Sequence, residues 1–233
     1  MRYLAATIGF LTTIVLILPI HSRPTVHAAP VLRGGRLARA VWLVFGLFLC
    51  SCGIVAFLES RLGLPPWDVL HQGIAKHTPL SFGLANEVVA VIVLFLAWAL
   101  GSKPGPGTVA NALLIGLFVV FVQPIGLVQH LSTWPLAARA LLLVGGLVCF
   151  GVGSAFYIGA AYGAGPRDSL MLIGALRTHV RIGVVRTALE GTVLVAGFAL
   201  GGRVGIGTLA FAVLIGPSIE GSFWLISRTR LVT

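Results

Sequence analysis

Seven apolar stretches, at roughly 4–20, 41–58, 84–100, 107–128, 140–158, 184–200 and 206–226, dominate this chain of 233 residues. Each approaches the ~20 apolar residues needed to cross a ~30 Å hydrocarbon core at 1.5 Å per residue. Unpaired backbone groups cost too much in hydrocarbon for anything but helices or closed barrels, and the strict apolar–polar alternation of barrel strands is absent. The expected fold is all-α, a polytopic helical membrane protein. Composition points the same way. The chain is 58% hydrophobic and 9% charged, with a mean hydropathy of +1.03, against about 25% charged in soluble domains. A water-soluble enzyme is excluded. The net charge of +10 would suggest nucleic acid in a soluble protein, but most of the 16 Lys and Arg flank apolar stretches. Membrane topology and lipid headgroups account for them, so no nucleic-acid partner is expected.

The first stretch stands apart. Residues 1–30 form either an uncleaved apolar helix or a signal-like extension, with Val26 and Ala28 at the −3 and −1 positions of a cleavage site. A third alternative is a translation start near Val31, outside the first stretch. An uncleaved helix with Arg23 to Arg39 in the cytoplasm fits the positive-inside tendency best. Residues 31–233 then make a single membrane domain.

That domain repeats itself. Shifting the chain by 100 residues aligns 39–116 with 139–216 without a gap, giving 27 identities over 78 positions. They include Arg39/Arg139, Gly46/Gly146, Gly53/Gly153, Pro66/Pro166, Asp68/Asp168 and Thr108/Thr208. Apolar bias alone does not put prolines, aspartates and glycines in register. The two repeats, 39–128 and 139–227, each predict three long helices plus a short one after a Gly/Pro break, at 66–77 and 166–177. Twelve residues span only about 18 Å. The short helices are therefore expected to be broken or re-entrant, leaving six core transmembrane helices. If they do not cross, the repeats are inverted; if they do, the repeats are parallel. Both arrangements place ten Lys/Arg in the cytoplasm and four outside, so charge does not choose. Helix length favours inversion.

The two breaks, GLPPWDVLHQG at 63–73 and GAGPRDSLMLIG at 163–174, together with KPGPGTVANALLIG at 103–116, RTALEGTVL at 186–194 and VGIGTLAFAVLIGPSIE at 204–220, resemble the bacterial YczE/YyaS/YitT-like family of integral membrane proteins. The resemblance covers about 35–227. It implies a multi-pass protein of the bacterial inner (plasma) membrane, described for the family as permease-like or simply as a membrane protein.

Pro66 and Pro166 suit the first turn of a helix, and Asp68 and Asp168 follow two residues later, where a carboxylate favours the positive helix end. They are either structural caps or an ion or substrate site at a helix N-terminus. The substrate-binding candidates are Pro66, Asp68, His71, Gln72, Pro166, Arg167, Asp168 and Ser169. Asp68 and His71 at i, i+3 are weak as a metal pair, because Met171 stands where the second copy would need His. No metal and no cofactor is called for. Arg186 and Glu190, at i, i+4 inside an apolar helix, form an expected intramembrane ion pair that either locks helices together or couples motion. Glu220 is expected to be interfacial, near Arg228 and Arg230. Thr108 and Thr208 are expected as N-caps after tight glycine turns. Cys50, Cys52 and Cys149 lie in apolar runs and behave as small hydrophobes.

No catalytic constellation is present, so the chain is not expected to be an enzyme. The functional expectation is a permease for a small solute or ion, with a non-transporting accessory or scaffold factor as the alternative. Expected partners are the lipid bilayer, a small-molecule or ion substrate and a second copy of the chain in a homo-oligomer.

Overall fold

A run of apolar residues in hydrocarbon has one way to satisfy its backbone, and the computed structural model accordingly has helices as its regular elements among the described residues, apart from a single antiparallel bridge between Leu32 and Val232. It describes residues 29–122 and 134–232. The stretch at 4–20 and its three alternatives lie outside them, as does the end of the expected helix at 107–128. Eight helices occur among the described residues. They are α1 (Arg36–Ser60), α2 (Pro66–His77), α3 (Phe82–Ala99), α4 (Pro106–Val122), α5 (Leu136–Gly159), α6 (Pro166–Thr178), α7 (Ile182–Ala199) and α8 (Ile206–Ser227). Five of them, α1, α3, α5, α7 and α8, are long and apolar enough to cross a membrane, while α4 has 17 residues. Side chains such as Phe95, Trp98, Leu113, Leu117, Leu141 and Phe198 stand more than half exposed. Water would penalise such a surface; lipid accepts it.

α1 and α5 form the central pair. Gly46 lies against Gly153 and Tyr157, and Gly53 against Gly146 and Phe150, so the two helices run antiparallel. A Cβ on Gly46 or Gly153 would come within 2.6 Å of the facing carbonyl; only glycine lets the backbones approach so closely. The ends are clamped reciprocally. Arg39 Nε donates to Ala160 O (2.7 Å) and Arg139 Nε to Ser60 O (2.8 Å). Each guanidinium thus satisfies carbonyls that the other helix's C-terminus leaves unpaired.

Elsewhere, positions one hundred apart again make matching contacts. α2 packs on α7 and α6 on α3; α4 packs on α1 and α8 on α5. Lys76 donates to Gly201 O, and Arg177, one residue past the position matching Lys76, donates to Leu100 O. Gly107 N–H donates to Tyr162 O (2.7 Å) and Gly207 N–H to Leu62 O (2.8 Å). Thr108 and Thr208 depart from the N-cap expectation. They occupy the third helical position, where each hydroxyl accepts the N–H of Gly105 or Gly205 at 3.1 Å. The glycine is extended enough to leave its own N–H facing back into the helix, so the threonine caps it from inside. Glu220 accepts from Arg181 Nε (2.6 Å).

Candidate functional site

The site begins with two short helices whose first turns touch. α2 starts at Pro66 and α6 at Pro166, each proline at a position where a missing N–H is harmless. The next residues, Trp67 and Arg167, stack on each other, with the guanidinium carbon 4.9 Å from the ring centre. Cation–π contacts of this kind are strongest when desolvated. The positive ends of both helices therefore converge on one region, with Asp68 and Asp168 in their first turns.

Asp168 is held firmly. It accepts from Arg186 Nη1 (2.6 Å) and from the Tyr157 hydroxyl, and that hydroxyl in turn accepts the Gly165 N–H (3.4 Å). Arg186 Nη2 reaches Glu190 Oε1 (2.8 Å), which also accepts from Trp67 Nε1 (3.1 Å). The expected Arg186–Glu190 pair is thus part of a larger circuit joining α2, α5, α6 and α7. Asp168, Arg186 and Glu190 are 7%, 3% and 0% exposed. Burying such charges is tolerable only with partners in good geometry. The circuit is not complete, however: Arg186 Nε and Glu190 Oε2 have no hydrogen-bond partner among the described residues.

Asp68 is held loosely. Its Oδ1 lies 3.3 Å from Nδ1 of the fully buried His71, without hydrogen-bond alignment, and its side chain is 26% exposed. Both aspartates line one cavity of about 380 Å3, together with Asn86, Glu87, Asn111, Arg167 and Arg186. Apolar walls come from Ile54, Phe57, Ile115, Phe150 and Phe211. Arg167 Nη2 donates to Asn86 Oδ1 (3.0 Å), and Asn86 Nδ2 donates to Glu87 Oε1 (3.3 Å).

Of the expected site residues, Asp68, Pro166, Arg167 and Asp168 border this cavity, and Arg186 joins them. Four others are engaged beside it. Pro66 opens α2, His71 lies behind Asp68, Gln72 accepts the Arg203 N–H (2.6 Å), and Ser169 donates to Ala164 O (2.9 Å). The sequence passes over Tyr157, Trp67, Asn86 and Asn111. A signal was there: Phe57, Arg167, Arg186 and Phe211 occupy the positions one hundred residues away, so polarity differs within otherwise matched copies.

A larger groove of about 820 Å3 runs along the outer face of α7 and α8 past Val213, Phe223 and Trp224. Its charged residues, Arg181 and Glu220, are paired with each other. The smaller cavity is lined by both aspartates, Glu87, Arg167 and Arg186 and so carries the chemistry.

Comparison with known proteins agrees on kinship. An uncharacterised protein of Haemophilus influenzae is 36% identical over 188 residues, covering 80% of this chain and 84% of its own. The uncharacterised membrane protein YczE of Bacillus subtilis is 34% identical over 173 residues, 73% of this chain and 79% of YczE. YyaS of the same organism is 29% identical over 190 residues, 78% of this chain and 91% of YyaS. No solved structure matches. The family matched over residues 37–222 is a family of unknown function, DUF6198, and this multi-pass membrane protein belongs to it alongside YczE and YyaS.

Proposed function

We propose that this protein is a permease-like carrier of the bacterial inner membrane, passing a small solute or ion through the cavity between two inverted repeats. It is not an enzyme and needs no cofactor. The observation that carries this is the meeting of two half-helix N-termini, each bearing an aspartate, on one cavity of about 380 Å3. Discontinuous helices at the junction of inverted repeats are where secondary transporters hold their substrates. The antiparallel run of α1 against α5 supports inversion, because parallel repeats would bring these two helices together in the same direction. Counting α2 and α6 as re-entrant gives three crossings per repeat, six in all, and returns α5 to the membrane opposite to α1.

A solute-uptake screen in proteoliposomes tests this. The wild type is expected to accumulate at least one small solute, and Asp68→Asn to abolish that uptake while still inserting and remaining monodisperse. Full uptake in both Asp68→Asn and Asp168→Asn would remove the site. The second reading, a non-transporting accessory factor, draws on the apolar groove along α7 and α8, which would seat a partner's helix; it predicts no uptake of any solute.

A further inference from the structure

The cavity contains polar groups of both signs whose bonding capacity the protein does not use. Asp68 has one close side-chain partner among the described residues, His71 Nδ1 at 3.3 Å, and its carboxylate also lines the cavity. Arg167 uses one of its five donors, on Asn86. Arg186 also lines the cavity, but its charge is already met by Asp168 and Glu190. An anion alone would fit the Arg167 guanidinium and meet the Asp68 carboxylate. A cation alone would fit Asp68 and face the Arg167 guanidinium. Only a ligand carrying both signs complements both. The remaining walls, Ile54, Phe57, Phe150 and Phe211 among them, are apolar. The volume of about 380 Å3 lies at the small end of the range of ligand pockets, about 300–1,000 Å3.

From this geometry we infer that the cavity selects a small free zwitterion with an apolar body, its ammonium group on Asp68 and its anionic group on Arg167. Glu87, exposed at the cavity's edge, draws the ammonium end in. The inference rests on the proposed passage through this cavity and names what passes.

The test uses the full chain in nanodiscs of phosphatidylglycerol and in matching proteoliposomes, with three probes of similar size. These are L-leucine, isoamylamine, which lacks the carboxylate, and 4-methylpentanoate, which lacks the ammonium group. Leucine is expected to bind and to be taken up, with both one-charge probes weaker by on the order of tenfold or more. Asp68→Asn is expected to weaken leucine by a similar factor and leave 4-methylpentanoate unchanged. Arg167→Gln is expected to weaken leucine and spare isoamylamine, with Arg167→Lys recovering part of the loss. Size-exclusion profiles of each variant separate misfolding from lost binding. Equal binding of leucine and either one-charge probe overturns the inference, as does retention of added phosphatidylethanolamine with no leucine binding. Uptake of a one-charge probe without leucine leaves passage standing and removes the zwitterion. No binding and no flux of any probe removes both.

Discussion

The surroundings of Asp68 and Asp168 start from the same local sequence and end as chemical opposites. Each aspartate is the third residue of a short helix that begins with proline. Around Asp168, the chain supplies Tyr157, Arg186 and Glu190. At the matching positions around Asp68 it supplies Phe57, Asn86 and Ala90. One carboxylate is consequently tied on two sides; the other is left facing a cavity. The difference teaches that two segments of matching local sequence can hold their aspartates in different company, one tied to buried partners and the other facing a cavity.

The largest break in this comparison should come from Arg186→Leu. It strands Asp168 and Glu190 without their shared cation, and removing one partner of a buried ionic group costs about 3–5 kcal/mol. Loss of monodisperse protein or a steep drop in thermal stability is the expected result. A near-wild-type Tm would show that the two carboxylates do not depend on the guanidinium.

Next come the two aspartates themselves. Asp168→Asn weakens charge-assisted bonds to Arg186 and Tyr157 and is expected to cost about 1.5–3 kcal/mol. Asp68→Asn, with no such bonds to lose, should stay within about 0.5 kcal/mol of wild type in stability yet lose uptake. Thermal unfolding and uptake measured on the same preparations separate cohesion from ligand contact. Equal stability losses would erase the contrast.

The smallest effect sharpens the comparison from the other side. Phe57→Tyr gives Asp68 the hydroxyl that Tyr157 gives Asp168, and is expected to add up to about 1 kcal/mol of stability while lowering uptake. Unchanged uptake with raised stability would mean that Asp68 can be bound by the protein without harm to passage.

Much of the frame was legible in the residues. Pro66 and Pro166 gave the starts of α2 and α6, and the apolar runs gave the long helices, with α1 and α5 beginning at Arg36 and Leu136, ahead of the expected 41 and 140. The charge tally, ten to four in either arrangement, did not fix the relative direction of α1 and α5, and helix length only favoured the antiparallel one. It is the facing of Gly46 with Gly153 and Gly53 with Gly146 that reveals it. The site was half legible. Asp68, Asp168 and Arg167 announced themselves as polar groups in apolar surroundings. Trp67 and Tyr157 did not, since an indole or a phenol in such a chain reads as packing. Their bonding role depends on Glu190 and Asp168, which reach them only through tertiary contact.

The reciprocal clamps on α1 and α5 also set an order of events during synthesis. Arg39 donates to a carbonyl 121 residues further along the chain. At ~5–20 residues per second that partner emerges about 6–24 s later. Through that interval the first helix holds a guanidinium ready for a helix end that does not yet exist, and its glycine face has no backbone to meet. The first half thus waits in the bilayer as an unfinished surface, and the second half, on arrival, completes both at once.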